Sequence, residues 1–330
     1  MRSFLLFTIF LVPPLPAQAP ARVESPGGRL VLRAPWGSAP GAFGKEDTGA
    51  RLGPPAVAAA RGRVYILDRI FGRVQVFDGK GRLLQVLPAG SRTVDLLAVD
   101  GAGRVLVLDA FVKKEIRILE GGKASRVVPL PAPPRPGLLP SGIFAGKDAL
   151  LLEWGHTLVT SLPCPGIEPL FSLGLLPPPG GYLPGRPTRR GWVQVVRSGK
   201  GLCLLLGRRG TPVPEELEFP VKGGVECVLD LESDRTGRIA VALFPWGDPF
   251  RRIQVMVFSR AGRLLASRRI PGGSITDLMS RFSLSPEGLL YQLRTSEKGV
   301  EVLEWDWSRW GRPEVPSNEA PKAPEKEGGR

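Results

Sequence analysis

The 330-residue sequence contains one histidine, His156, and one asparagine, Asn318. No site that needs two histidines can form from it, which excludes the multi-histidine zinc cages. A metal cage built on asparagine is excluded from the body of the chain, because the only asparagine lies near its end. The three cysteines, Cys164, Cys203 and Cys227, have neither zinc-site nor redox-motif spacing. One disulfide with a free thiol and three buried thiols both fit that count. Long apolar runs are missing too: Ser3 to Val12 is ten residues ended by Pro13-Pro14, too short to cross ~30 Å of hydrocarbon as a helix. Acid is in short supply, with 31 Asp+Glu against 45 Lys+Arg and a formal charge of +14. No Gly-x-Ser-x-Gly nucleophile elbow occurs, and no stretch longer than two turns has helical periodicity.

What is abundant is turn chemistry. The chain has 42 glycines and 35 prolines, together roughly twice the ordinary share. With 42% apolar residues it has ample material for a core. Arg2, the apolar run after it and the small residues of Ala19-Pro20-Ala21 read as a secretory signal cleaved after Ala21. Residues 1–21 are therefore expected to be a signal peptide and the protein to be secreted or periplasmic. The Pro-, Glu- and Lys-rich end, 311–330, is expected to be a disordered tail.

Between them the sequence repeats. Arg63-Val64-Tyr65-Ile66-Leu67-Asp68 recurs 41 residues later as Arg104-Val105-Leu106-Val107-Leu108-Asp109. Val76-Phe77-Asp78-Gly79-Lys80-Gly81-Arg82-Leu83-Leu84 recurs as Val257-Phe258-Ser259-Arg260-Ala261-Gly262-Arg263-Leu264-Leu265, four periods of about 45 away. Several short strands per unit at that period predict an all-β propeller over 28–310. Six blades are laid out, at about 54–92, 93–140, 141–180, 181–222, 223–273 and 274–310, or seven if 141–222 hides another. Proline-dense segments 131–140 and 176–188 are read as loops between blades. The last blade shows three strands, so the strand Gly28 to Arg33 is predicted to complete it and close the ring. The uniformly apolar runs, such as 105–108, read as inner strands.

The pattern of a glycine turn, Arg-Val-x-(Ile/Val)-Leu-Asp and then Val-x-Val-Phe-Asp-x-x-Gly-Arg-Leu-Leu resembles the NHL-type repeats of six-bladed β-propellers. That resemblance implies a fold more than an activity, since relatives include binding scaffolds, metal-dependent hydrolases and lyases. At the place where such repeats often carry Asn and His, this chain has Arg69-Ile70-Phe71 and Ala110-Phe111-Val112. Lactonase-like relatives imply oxygen ligands for a central metal, for which Glu153, Glu226 and Asp230 are the candidates. His156, in Glu153-Trp154-Gly155-His156-Thr157, reads as a loop histidine at a strand end. Asp68 and Asp109 read as caps of the turns that follow them, and Trp305, Trp307 and Trp310 as cover for the closing blade.

The charge is unevenly placed. Residues 186–209 carry Arg186, Arg189, Arg190, Arg197, Lys200, Arg208 and Arg209 without an acid; residues 251–269 carry Arg251, Arg252, Arg260, Arg263, Arg268 and Arg269, again without one. Such a single-sign field attracts anions, and the arginine fork suits phosphate, sulfate and carboxylate. The resulting expectation is an exported monomeric binding or scaffold module for an anionic envelope polymer or protein partner, rather than nucleic acid. It has these arginines other than Arg260 as binding residues, no membrane span, no assigned catalytic residue, no metal and no cofactor. The alternative is a carboxylate- or calcium-dependent hydrolase or lyase with its site at the channel mouth, marked by buried, convergent carboxylates.

Overall fold

The turns that the sequence repeats are built alike. Asp78 Oδ1 accepts the backbone N–H groups of Lys80 and Arg82, both at 2.9 Å. Asp100, Asp234, Ser259 and Ser285 each accept the N–H four residues on in the same way. The fourth residue of each turn is a glycine at positive φ, for example Gly81 at +77° and Gly262 at +78°. A side chain at Gly81 would also lie 2.2 Å from the Val31 carbonyl oxygen, so the turn admits only glycine there. These Asx-type turns join antiparallel neighbours within a hairpin.

The computed structural model describes residues 27–310 apart from 48, 50, 179, 200, 209, 212, 249 and 250. The predicted signal peptide and tail, together with Arg209 and Lys200, lie outside the described residues. The described chain forms a six-bladed β-propeller of four-stranded antiparallel sheets. From the channel outward, blade 1 holds Ala56–Ala60, Arg63–Asp68, Arg73–Asp78 and Leu83–Pro88. The innermost strands of blades 2 to 6 are Leu96–Val99, Pro140–Gly146, Arg186–Pro187, Val225–Ser233 and Phe282–Leu284. The apolar runs read as inner strands are mostly the second strand of a blade, as 105–108 is in blade 2. They are buried because other strands cover both their edges and neighbouring blades cover both faces.

Closure occurs as the sequence predicts. Arg29–Ala34 pairs antiparallel with Gly299–Trp305, placing the first described strand on the outside of blade 6. Arg29 and Glu304 form a bidentate pair at 2.9 and 2.7 Å, and Trp36 Nε1 donates to the Ser296 carbonyl. Behind this seam Val31, Leu32, Phe43, Ile66, Phe77 and Val302 are buried together, so closure rests mainly on apolar burial. Trp305 is fully buried in the same blade, its Nε1 donating to Gln292 Oε1 at 3.1 Å and its ring edge-on to Trp310.

Segment 176–188 departs from the reading as an inter-blade loop. It contains the fourth strand of blade 3, Tyr182–Leu183, and the first of blade 4, Arg186–Pro187. Prolines cut both to two residues by removing ladder donors. The chain between the third and fourth strands of blade 3, residues 164–181, crosses one end of the propeller. Glu168 accepts from Gly101 N at 2.7 Å in blade 2, and Gly174 N donates to Thr188 in blade 4 at 2.8 Å. Leu170 packs on the core between blades 1 and 2. This end is therefore covered, and the opposite end, where the turns between second and third strands lie, is open.

Candidate functional site

A cavity of about 120 Å³ occupies the channel, lined by inner strands of all six blades and by Pro169, Leu170, Phe171 and Leu173 of the covering segment. Half-exposed His156 and exposed Met279 line its open end. The walls differ. Blades 1 and 2 contribute Val57, Ala58, Ala59 and Leu96 to Val99, whereas blades 3 to 5 contribute Ser141, His156, Arg186, Asp230 and Glu232.

Glu153 is buried near the end of the second strand of blade 3, opposite Gly142. A Cβ at Gly142 would approach the Phe144 ring to 2.9 Å and Glu153 Oε2 to 3.1 Å, so glycine keeps the carboxylate's space open. Ser141 is the extra residue of a bulge in the inner strand. Its hydroxyl donates to Glu153 Oε2 at 3.0 Å and accepts from His156 N at 2.8 Å. His156 has φ +57° in the following turn, and its Nδ1 lies 3.2 Å from Glu153 Oε2.

Arg186 crosses from blade 4. Its Nε and Nη2 donate to the two oxygens of Glu153 at 3.1 and 3.0 Å, the planar fork that only arginine supplies. The guanidinium lies 4.5 Å over the Phe144 ring. Its Nη1 sits 3.2 Å from Glu232 Oε1 and 4.0 Å from Asp230 Oδ1, yet this buried nitrogen has no aligned hydrogen-bond acceptor. Asp230 and Glu232 alternate with Leu229 and Leu231 on the inner strand of blade 5. A second bulge, between Val228 and Asp230, sets their direction. Asp230 Oδ1 accepts from Leu231 N at 2.9 Å and Oδ2 from Phe282 N at 3.4 Å.

Three carboxylates thus share one guanidinium, and their proton affinities separate. Burial opposes ionisation of Glu153, but Arg186 and His156 outweigh it and bring its pKa down to about 2. Burial pushes Asp230 up to about 6 and Glu232 up to about 8, against the pull of Arg186. Of the three, Glu153 therefore loses its proton most readily and Glu232 keeps one most readily. Environments that drive paired carboxyl groups apart in this way create a base and an acid side by side. The calcium reading fits poorly. Glu153 is committed to Arg186, and Glu226 is turned away toward Arg251, 3.7 Å off. Among the described residues no three His, Cys, Asp or Glu side chains are placed to hold a metal ion.

Of the sequence-predicted residues, Glu153, Asp230, His156 and Arg186 meet here. Glu232 was missed, although its alternation with Leu229, Asp230 and Leu231 on an inner strand is a legible sign of two acids facing the channel. Asp68 and Asp109 stay outside the channel. Asp109 accepts from Val112 N and Lys113 N and from the hydroxyls of Ser91 and Thr93, as a turn cap does. Asp68 accepts from Gly44 N and Arg73 Nε.

The other arginines do not form one patch. Arg189, Arg190, Arg208 and Arg263 are exposed at the covered end, with Arg260 and Arg235 beside them. Arg208 is paired there with Glu215 at 2.7 Å. Arg197, Arg251 and Arg252 lie at the open end. Arg268 and Arg269 are on the outermost strand of blade 5; Arg269 and Arg252 both reach Asp248, and Arg268 stands 6.0 Å from the Trp305 ring.

Comparison with solved structures finds a streptogramin B lyase (TM-score 0.42, 12% identity, covering 76% of this chain and 92% of that one). A putative gluconolactonase is similar at 0.42 and 15%, covering 76% of this chain and 87% of the other. The calcium-binding protein regucalcin from Agrobacterium tumefaciens is similar at 0.43 and 14%, with coverage of 79% and 93%. No protein-family model matches the chain, and no curated protein matches it. None of these similarities transfers an activity to this chain.

Proposed function

We propose that this propeller is a hydrolase or lyase that admits a small molecule to its one-ended channel. Glu232 is its proton donor, Asp230 its proton acceptor and Arg186 the stabiliser of developing negative charge. The observation that carries the reading is Arg186 Nη1, a buried donor with no aligned acceptor, aimed between two carboxylates beside a 120 Å³ cavity. A ligand oxygen placed there would satisfy it. The test is turnover of a panel of chromogenic esters, lactones and glycosides. The pH–rate profile is expected to be bell-shaped with limbs near 6 and 8, and Asp230→Asn and Glu232→Gln each to lower kcat by about 10²–10⁴-fold. Turnover that survives both substitutions overturns it.

A binding role for an anionic polymer at the covered end is favoured by one separate observation. Arg190, Arg208 and Arg260 rim a hollow of about 20 Å³ between blades 4 and 5. Retention on heparin should then move to lower salt in an Arg189→Ser, Arg190→Ser, Arg260→Ser variant; unchanged retention rejects this role. The repeat pattern supports placing the chain among NHL-like propellers, and the N-terminal pattern supports export, with the mature chain beginning at Arg22.

A further inference from the structure

At the open end, where blades 5 and 6 meet, a second cluster of arginines stands on different elements from the channel cluster. Phe244, at the end of the second strand of blade 5, carries two guanidinium groups against its ring, Arg251 at 5.1 Å and Arg281 at 5.6 Å. Gly272 makes the arrangement possible. A Cβ there would lie 2.1 Å from the Arg251 carbonyl oxygen and 3.1 Å from the Phe244 ring, while the Gly272 carbonyl accepts from Arg281 Nη1 at 3.1 Å. Arg251 is held at φ +46°, a left-handed conformation that a non-glycine residue occupies at a cost and that concentrates at ligand sites.

Two like charges on one ring repel, and near them only Cys227, Asp277 and Glu226 counter the repulsion in part. Among the described residues no carboxylate lies within 4 Å of Arg281, and Arg251 has only Glu226 at 3.7 Å. Burial pushes the Arg281 guanidinium below its ordinary value; Cys227 and Asp277 act against that push and the positive charge of Arg251 adds to it. Met279, Ser280 and Phe282, on either side of Arg281 in the chain, line the channel. We propose that this cluster is a binding site for a tetrahedral oxyanion, the phosphate or sulfate group of a small molecule, held between the forks of Arg251 and Arg281. A dianion at this point would relieve the repulsion and accept from both forks at once, which a carboxylate or chloride does less well. The proposal does not depend on the chemistry of the channel.

The experiment is calorimetric titration of the full chain with inorganic phosphate and with sulfate at constant ionic strength, with acetate and chloride as controls. Saturable binding of phosphate or sulfate is expected. Arg251→Gln, at an exposed position, should weaken it at least tenfold. Arg281→Gln should weaken it as much, and Arg281→Lys, which keeps the charge, should recover part of the loss. Absence of saturable binding by both oxyanions overturns the proposal. Binding that Arg251→Gln leaves unchanged overturns it as well, whatever becomes of the half-buried Arg281 variants.

Discussion

Two seams of the same ring are built on opposite principles. Between blades 1 and 2 the core is continuous, with Ala56, Tyr65, Leu67, Val74, Leu87, Val107 and Leu119 among its buried members. Between blades 3 and 4 only Leu151, Val159 and Leu183 are buried apolar residues of the cluster; half-buried Phe144, Leu173, Leu175, Leu176 and Trp192 complete it. The difference is made up by the Glu153–Arg186 pair, which crosses that seam inside the channel. The regular seam gains stability from area removed from water. The irregular one depends on two charges that are tolerable only together, because each alone would be a buried ion without a partner. An unsatisfied buried donor, Arg186 Nη1, lies at this weakest part of the repeat, while Arg69 Nε beside Asp95 is another at the regular seam.

Single substitutions separate the two principles. Glu153→Gln should cost about 3–5 kcal/mol, because it leaves Arg186 buried against a neutral amide. Leu67→Ala, in the regular seam, should cost about 2–5 kcal/mol by transfer and cavity terms. Urea denaturation measures both, and the comparison breaks if Glu153→Gln is the milder by a wide margin. Only the Glu153 change should also abolish binding or turnover in the channel.

The pH dependence sharpens the contrast. Glu232 has a folded pKa of about 8 against an ordinary 4.5, and Asp230 about 6 against 3.8. In both, the folded state keeps a proton that the unfolded chain releases. Their contribution is therefore greatest below the ordinary carboxylate range and is lost as pH rises to about 8. Glu153, at about 2 in the fold, runs the other way and loses its contribution as pH falls from 4.5 toward 2. Stability should peak near pH 4–5 on account of this cluster. Glu232→Gln should flatten the decline between pH 6 and 8 and leave the acid limb in place. Parallel unfolding curves for the variant and the parent across that range would show that Glu232 does not hold the proton. At the small end, Arg263→Ser should change stability by no more than about 0.5 kcal/mol, since Arg263 is exposed in a turn fixed by Ser259.

Much of the fold was legible because its signals are local. The turn at Asp78 to Arg82 is closed by bonds spanning two and four residues, so its pattern survives wherever it is copied, as at Ser259 to Arg263. The closing strand was legible from a count, because a three-stranded last blade needs a fourth. The two-residue strands at 182–183 and 186–187 were not, since prolines mask the pairing that the neighbouring blades impose. Where the arginine-rich stretches project was not legible either, because contiguity in sequence says nothing about which end of an up-and-down sheet a residue reaches. Arg186 and Arg189, three residues apart, lie in the channel and on the covered end.

The sequence by itself determined the architecture: repeat period, turn chemistry and apolar strands specify stacked sheets, and those are interactions between near neighbours. The candidate site was decided only by tertiary structure. Glu153, Arg186 and Glu232 belong to three blades, and nothing in their own segments requires them to meet. Ring closure brings them onto one guanidinium, and burial there, which no single strand provides, spreads the proton affinities of ordinary carboxylates, lowering that of Glu153 and raising those of Asp230 and Glu232.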